Sequence, residues 1–215
     1  RVKAAFMSAA QRADKLGIDL AELHAAHGYL LNEFLSPLSN LRSDEYGGSL
    51  ENRMRFPLEV AQALRAIWRD KPLGARISGS DWQEGGTTPD EAVRFAAELK
   101  KLDYDYVCVT SGGISATAKI AVGLDYQVPF AAQVKKQVGI ATRAVGMIVT
   151  PQQAEKIIAS GQADMVAIAR GFIDNPRWVW HAADVLSEQA AYPPQYERGQ
   201  PKYWPGAKIL RQNSI

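Results

Sequence analysis

The chain has 215 residues, of which 47% are apolar and 22% charged, a composition typical of a soluble globular domain with a sizeable core. Its net charge of +2 is too small to indicate binding to nucleic acid or to an anionic membrane surface. The single cysteine excludes an internal disulfide framework and fits a reducing compartment, so we predict a cytoplasmic protein without a membrane span.

Short β-rich runs alternate with amphipathic helices along the chain, which is the pattern of repeated βαβ units around a parallel sheet. Thr88-Pro89 and Thr150-Pro151 are typical helix starts, because threonine can cap a helix and proline suits its first position. The predicted elements in chain order are a helix at 2–15, a strand at 18–23, a helix at 50–69, a strand at 73–78, a helix at 89–101, a strand at 106–110, a helix at 129–137, a strand at 143–148, a helix from 151, a strand at 165–169 and a last helix capped by Asn175-Pro176.

Five strand–helix units preceded by a helix predict an incomplete (β/α)8 TIM barrel of the α/β class, because a complete barrel needs eight units and about 250 residues. The leading helix places the missing strands upstream, so we expect the chain to hold about strands 4–8. A first residue that is Arg rather than Met also indicates a partial chain. We predict a barrel domain at 1–190 and a Pro- and Tyr-rich tail at 191–215 that could contact another subunit.

Three chemically active side chains, His24, His27 and Tyr29, follow the first predicted strand within six residues. An α/β barrel builds its active site at the carboxyl ends of its strands. If the turn is helical, His24 and His27 share a face and can bind one carbonyl or phenolate oxygen, and Tyr29 can act as a general acid. The alternative is that these side chains cap and pack. No metal site is predicted, because the third histidine, His181, lies in a late helix without ligand spacing.

Two further features indicate an anionic ligand. Arg76 lies at the end of an apolar strand, where its charge needs an anionic cofactor, a ring carbonyl or an internal salt bridge as partner. Gly146 follows the fourth strand and Arg170 the fifth, which is where barrel enzymes bind phosphate. Together they predict a ligand that carries phosphate.

The polar run EYGGSLENR at residues 45–53 lies between the first strand and a long helix. It could contribute to catalysis directly, or it could be a loop that leads into the helix. We favour the loop, with Ser49 as the helix cap and Asn52 or Arg53 holding the loop in place.

A longer motif supports a specific resemblance. The segment HAAHGYLLNEFLSPLSNLRSDEYGGSLENRMRF is similar to the signature region of the old yellow enzyme family of FMN-dependent oxidoreductases. It resembles especially the bacterial thermophilic-like class, which has a pair of histidines where the founding yeast enzymes have His and Asn. The motifs GARIS, VTSGG, YQVPFA, AVGMI and ADMVAIARGFIDNPRW extend the resemblance over nearly the whole chain.

The resemblance implies roles for the residues around the first two strands. His24 and His27 resemble the pair that binds the carbonyl oxygen of the substrate, and Tyr29 resembles the residue near the proton-donor site. Arg76 resembles the arginine that faces the N1/O2 edge of the flavin. The residues that tune the flavin in this family lie on the first three barrel strands, which this sequence does not contain.

The resemblance also implies roles for the last units and the tail. Gly146 lies in the region of the FMN phosphate, and Ala169-Arg170 matches the usual Gly-Arg pair there, with Ala as a departure that keeps the backbone N–H. Arg198 lies in a YERG motif whose arginine reaches a neighbouring subunit, which implies a homo-oligomer. Because the chain continues beyond that motif, Trp204 is an alternative residue to line a partner's pocket.

The family resemblance implies an FMN-dependent NAD(P)H oxidoreductase, an ene-reductase that reduces the activated C=C bond of α,β-unsaturated carbonyl compounds. Hydride would come from the flavin and the proton from Tyr29 or water. Two alternatives remain: a related dienoyl-CoA reductase, or a non-catalytic barrel fragment that acts only through assembly.

Overall fold

The fold is described from a computed structural model, which covers residues 1–207 and 209. Within these residues the strands are Ala21–Ala25 (β1), Leu73–Ser78 (β2), Tyr106–Thr110 (β3), Ala141–Val145 (β4) and Met165–Ala167 (β5). The α-helices are Val2–Lys15 (α1), Leu30–Leu35 (α2), Leu50–Ile67 (α3), Pro89–Lys101 (α4), Val128–Val138 (α5), Pro151–Ala159 (α6), Arg170–Asp174 (α7) and Trp178–Val185 (α8), and Pro194–Gly199 is a 3₁₀-helix. None of these helices combines the length and the apolar content needed to cross a lipid bilayer.

The strands form one parallel sheet in which their spatial order follows the chain, β1-β2-β3-β4-β5. The register aligns His24 with Arg76, Arg76 with Cys108, and Cys108 with Arg143. Within the described residues, β1 and β5 are the edge strands and each has one neighbour. The predicted series of consecutive parallel strand–helix units is therefore confirmed.

Side chains on the two faces of the sheet have different environments. Successive side chains of a strand point to opposite faces. On one face, Leu23, Ile77 and Val109 are at most 2% exposed and belong to the core. On the other face, His24 and Arg76 are only partly buried. The apolar face packs into the core, and the other face presents the polar side chains of His24 and Arg76, which a ligand could contact.

The helix starts form as their sequences predict. The hydroxyl of Thr88 accepts a hydrogen bond from the backbone N–H of Glu91, whose carboxylate accepts from the N–H of Thr88. Thr150 and Gln153 make the same reciprocal pair at the start of α6. These capping boxes satisfy N–H groups that have no partner within the helix. Both predicted Thr-Pro starts are confirmed.

The polar run 45–53 is a loop that leads into α3, as predicted. The Ser49 hydroxyl accepts a hydrogen bond from the N–H of Asn52 at 3.3 Å, and the Asn52 amide donates to the carbonyl of Gly47 at 3.0 Å. Arg53 donates to the carbonyl oxygens of Gly48 and Leu35 and pairs with Glu91. The run therefore ties α2, α3 and α4 together.

Two predicted strand limits are wrong by a few residues. β1 begins at Ala21, opposite Leu73, rather than at residue 18, because the Ile18 carbonyl accepts a hydrogen bond from Lys71 outside the ladder. β4 spans 141–145 instead of 143–148, because Gly146 takes a φ of +103°, which ends the extended backbone. In both cases a tertiary contact or a backbone angle, rather than the apolar run, sets the limit.

The helices predicted at 50–69 and 129–137 differ from α3 and α5 by one or two residues at their ends, and larger differences concern the short elements. The last strand stops at residue 167 rather than 169, and α7 follows it. The helices α2 and α7 were not predicted, because their six and five residues are too few to show a helical period in the sequence. The final helix begins at Trp178, because the Asn175 side chain accepts a hydrogen bond from the N–H of Arg177 instead of capping the helix.

The described residues cluster into two compact units, Arg1–Ala169 and the part from Arg170 onward. In the second unit the Trp180 ring stacks on Tyr192 with centroids 4.3 Å apart, and the Arg177 guanidinium lies 5.6 Å from the Trp180 ring centroid. The division at residue 190 stays a prediction. Residues 208 and 210–215 of the predicted tail lie outside the described residues.

Candidate active site

His24, His27 and Tyr29 lie together at the carboxyl end of β1. The ring centroids of His24 and His27 are 5.3 Å apart, and those of His24 and Tyr29 are 5.4 Å apart. His24 is on the strand, His27 is in the turn after it, and Tyr29 is the residue before α2. Tyr29 is 64% exposed, so its phenol can exchange protons with solvent. The cluster thus combines two imidazoles with an accessible phenol.

The turn that carries His27 is not the helical turn considered from the sequence. His27 and Gly28 have φ angles of +60° and +74°, in the left-handed region. The N–H of His27 donates to the Ser78 hydroxyl at 3.3 Å, and the N–H of Gly28 donates to the Asn32 side-chain oxygen at 2.8 Å. A left-handed histidine costs about 1–2 kcal/mol, and these buried partners hold it in place.

Two glycines bring the loop after β3 against this turn. A Cβ on Gly28 would lie 2.3 Å from the carbonyl oxygen of Gly113, and a Cβ on Gly113 would lie 2.6 Å from the Cα of His27. A Cβ atom on either residue would therefore collide with the opposing backbone, and the two segments can approach this closely only because both residues are glycine. The backbone of the β3 loop therefore sets the position of His27.

We expect Gly28→Ala to destabilise the chain by about 2–5 kcal/mol, because it adds a backbone collision to the cost of a left-handed alanine. Gly17→Ala is the matched control, since Gly17 also has φ +74° but has nothing within 4 Å of its would-be Cβ. That control should lose only about 1–2 kcal/mol. Urea unfolding of both variants measures the difference, and equal losses would show that the close approach to Gly113 is unimportant.

Arg76 is next to His24 in the register and brings positive charge to the cluster. Its Nε atom is buried and has no hydrogen-bond partner among the described residues, and no salt bridge to Arg76 is found there. A buried donor without a partner is costly, and native proteins leave few of them. This arrangement does not match the alternative of an internal salt bridge, and it leaves a donor for a ligand.

Burial and the neighbouring guanidinium favour neutral imidazoles. Burial, followed by the charge of Arg76 and the proximity of His24, lowers the pKa of His27 from 6.5 to about 4. Burial and Arg76 also lower the pKa of His24, and Glu22 opposes them. At neutral pH both rings are therefore uncharged.

This electrostatic arrangement predicts a pH dependence of stability. The pKa of His27 is about 4 in the folded chain and 6.5 in the reference state, so the unfolded chain binds more protons between these values. Stability should therefore rise from about pH 4 to pH 6.5 and then level off, by about 1–2 kcal/mol once solvent screening is allowed for. Urea unfolding across this range should show a shallower rise for His27→Gln than for the original chain. Identical profiles would contradict the lowered pKa.

A buried polar network behind His27 was not predicted from the sequence. The Nε2 atom of His27 lies 2.9 Å from the Thr110 hydroxyl at the end of β3. The hydroxyls of Thr110 and Ser111 donate to the side-chain oxygen of Gln127 at 3.0 and 2.7 Å. The Gln127 amide donates to the Val145 carbonyl at 3.2 Å. The signal that could have identified this network is the pair of hydroxyl residues that ends an apolar strand.

The residues expected near a phosphate lie after β4 and β5. Gly146 directly follows β4, and a Cβ there would lie 2.1 Å from Nε2 of Gln127, so glycine is required for this contact. β4 and β5 pair through Val145 and Ala167, so the two loops start at neighbouring strand ends. Ala169 lies in the second of these loops, and Arg170 begins α7.

The two tail residues expected to contact another subunit lie in the second unit. Arg198 is exposed within the 3₁₀-helix. Trp204 is 45% exposed and lines a cavity of about 980 Å³ together with Trp180 and Tyr196. His181, the third histidine, shares a 2.9 Å hydrogen bond with the Asn175 amide. The roles of Arg198 and Trp204 stay predictions.

Comparisons with known proteins place the chain in a family. The model of the NADH:flavin oxidoreductase / NADH oxidase family matches residues 1–189. An NADPH dehydrogenase from a Geobacillus species is 48% identical over 195 residues, which is 91% of this chain and 57% of the relative. One from Clostridium acetobutylicum is 44% identical over 196 residues, 90% of this chain and 57% of the relative. The chain thus spans little more than half the length of these relatives.

Solved structures agree with this assignment. A 2-naphthoyl-CoA reductase complex has a TM-score of 0.77 at 30% identity, over 86% of this chain and 29% of that protein. Morphinone reductase has a TM-score of 0.71 at 30% identity, over 90% of this chain and 51% of that protein. With the parallel sheet, these similarities confirm the incomplete (β/α)8 barrel. The chain belongs to the NADH:flavin oxidoreductase / NADH oxidase family, to which the old yellow enzymes that its motifs resemble also belong.

Proposed function

We propose that this chain is the carboxyl-terminal part of an FMN-dependent oxidoreductase that uses NADPH to reduce the C=C bond of α,β-unsaturated carbonyl compounds. The observation that carries the proposal is Arg76, whose buried Nε has no partner beside two imidazoles with lowered pKa values. The positive charge of Arg76 can hold an electron-rich edge of a cofactor ring, and the neutral imidazoles of His24 and His27 can bind an oxygen atom of a second ligand. The NADPH dehydrogenase relatives support the choice of reductant.

The residues present fit FMN. Arg76 would hold the carbonyl edge of its ring system, and Gly146, Ala169 and Arg170 would lie toward its phosphate, with Arg170 supplying charge. When bound, FMN supplies the hydride chemistry, which the side chains of this chain cannot perform. The protein would contribute binding, orientation and electrostatic stabilisation.

His24 and His27 would hold the carbonyl oxygen of the substrate. The hydrogen bond from His24 strengthens as negative charge develops on that oxygen, and His27 adds a second one when its ring takes up a proton, so both stabilise the enolate-like transition state more than the bound substrate. Tyr29, exposed and 5.4 Å from the His24 ring, would deliver a proton to the α-carbon, with water as the alternative donor.

The complete enzyme would need segments beyond this chain. The open edges of β1 and β5 suit three further upstream strands that close the barrel and supply the residues that tune the flavin. We assign residues 1–190 to the barrel and 191–215 to a tail that contacts another subunit of a homo-oligomer in the cytoplasm through Arg198 or Trp204. The chain covers 57% of the length of a curated relative, which supports the need for further segments such as these upstream strands.

Flavin binding tests the proposal. The chain is purified alone and together with the upstream strands, each with added FMN, and the absorbance of flavin that elutes with protein is measured. We expect the chain purified with the upstream strands, here called the complemented chain, to bind flavin. NADPH should bleach the flavin absorbance under anaerobic conditions, and 2-cyclohexenone should restore it. Absence of bound flavin would contradict the proposal and favour a fragment that acts only through assembly.

The choice of substrate tests the second enzyme function. The similarity to 2-naphthoyl-CoA reductase favours a CoA thioester as the alternative substrate. Flavin that is bleached by NADPH should be reoxidised faster by a free enone than by an enoyl-CoA. The reverse order would favour the CoA reductase.

A further inference from the structure

Gln127 connects the candidate active site to the end of β4. It precedes α5 and is 3% exposed, so its amide must find its hydrogen-bond partners within the protein. Those partners are the hydroxyls of Thr110 and Ser111, which are 2% and 7% exposed, and the carbonyl of Val145. None of these residues has a role in the function proposed above.

The orientation of the Gln127 amide follows from its partners. A backbone carbonyl can only accept a hydrogen bond, so the atom that faces Val145 must be the amide nitrogen. The side-chain oxygen must then face the two hydroxyls, at 3.0 Å from Thr110 and 2.7 Å from Ser111. That oxygen has two lone pairs and can accept from both hydroxyls.

The proton of Thr110 then determines which nitrogen of His27 is protonated. A hydroxyl has one proton, and Thr110 gives it to Gln127. Thr110 must therefore accept the second hydrogen bond, which comes from Nε2–H of His27 at 2.9 Å. A neutral imidazole with its proton on Nε2 has an unprotonated Nδ1.

We propose that Gln127 is a positioning residue: through Thr110 it holds His27 in the Nε2–H tautomer, so that Nδ1 is the ring nitrogen available to a ligand. The same amide anchors the Val145 carbonyl next to Gly146, so one side chain aligns the ends of β3 and β4. A phenol can donate its proton to Nδ1 of His27, whereas a carbonyl oxygen accepts from Nδ1 only after the ring takes up a proton. This consequence for the ligand rests on the proposed function, but the tautomer does not.

Long-range ¹H–¹⁵N NMR of the imidazoles in the full chain tests the proposal, because it distinguishes protonated from unprotonated ring nitrogens. In the original chain His27 should carry its proton on Nε2. In Gln127→Met, which keeps the length of the side chain but removes the strong acceptor, the buried Thr110 hydroxyl should turn to Nε2 and move the ring proton to Nδ1. Gln127→Leu should give the same result and replaces the first variant if that one does not fold.

Three controls separate this role from a merely structural one. Gln127→Glu keeps an acceptor for Thr110 and should retain the Nε2–H tautomer. Ser111→Ala removes the other hydroxyl and should also retain it. His181, whose ring instead shares a hydrogen bond with Asn175, should be unchanged throughout.

A proton on Nδ1 of His27 in the original chain, or an unchanged Nε2–H tautomer in both Gln127→Met and Gln127→Leu, would overturn the proposal. Because the measurement needs no FMN, its outcome is separate from that of the flavin-binding test. A chain that binds flavin with the wrong His27 tautomer would leave the proposed function intact and reject the role of Gln127.

Discussion

His24→Ala is expected to lower kcat/KM for enone reduction by the complete enzyme about 100- to 1,000-fold, with flavin still bound. The size follows from other enzymes in which one donor to a developing oxyanion is removed, which costs about 2.7–4 kcal/mol. His24 is on β1, with its ring centroid 5.3 Å from that of His27 and its backbone aligned with Arg76, so its loss removes one of the two imidazoles proposed to hold the oxygen. Steady-state kinetics with 2-cyclohexenone measures the effect.

The third histidine provides the control for this loss. His181 shares a hydrogen bond with Asn175 and has no role in the proposed reaction, so His181→Ala should leave kcat/KM within about twofold of the original enzyme. A His24→Ala enzyme that keeps its full kcat/KM would remove His24 from its assigned role. A His24→Ala enzyme that loses its flavin would indicate a structural role instead.

Arg53→Met should destabilise the chain by about 3–5 kcal/mol, because breaking a buried ion pair leaves its partners without compensation. The Arg53 side chain is 5% exposed and pairs with Glu91 at 2.5 Å, and it also donates to the carbonyls of Leu35 and Gly48. Its loss would leave a partly buried carboxylate and two carbonyl groups without that donor. Urea unfolding measures the change in free energy.

The same two helices provide a matched control. Arg94 of α4 pairs with Glu51 of α3, the reverse of the Arg53–Glu91 arrangement, but these side chains are 56% and 59% exposed. Arg94→Met should therefore cost only about 0–1 kcal/mol. Losses of similar size for the two variants would contradict the view that burial, rather than pairing itself, makes Arg53 important.

The parts of the fold that depend on local chemistry could be predicted from the sequence. Thr88-Pro89 and Thr150-Pro151 carry their capping chemistry within four residues, so both helix starts were correct. The end of β4 depends on the left-handed φ of Gly146, for which an apolar run gives no signal. The start of β1 depends on the hydrogen bond from Lys71 to the Ile18 carbonyl, and Lys71 is distant in sequence from this strand.

The candidate site shows the same division. The spacing of His24, His27 and Tyr29 brought these residues together in the prediction as in the structure, because they lie within one turn of chain. Thr110 and Gln127 lie 83 and 100 positions after His27, and only the parallel register and the turn into α5 bring them behind its ring. Sequence spacing cannot reveal partners that meet only through tertiary packing.

The central claim is that this chain supplies the part of a flavin site that binds the ligand oxygen. The most direct test is an absorbance titration of the complemented, FMN-loaded protein with a phenol such as p-hydroxybenzaldehyde. We predict a new long-wavelength charge-transfer band that is strong in the original protein and absent in His24→Ala/His27→Ala with flavin still bound. A band of equal strength and affinity in that double variant would contradict the claim.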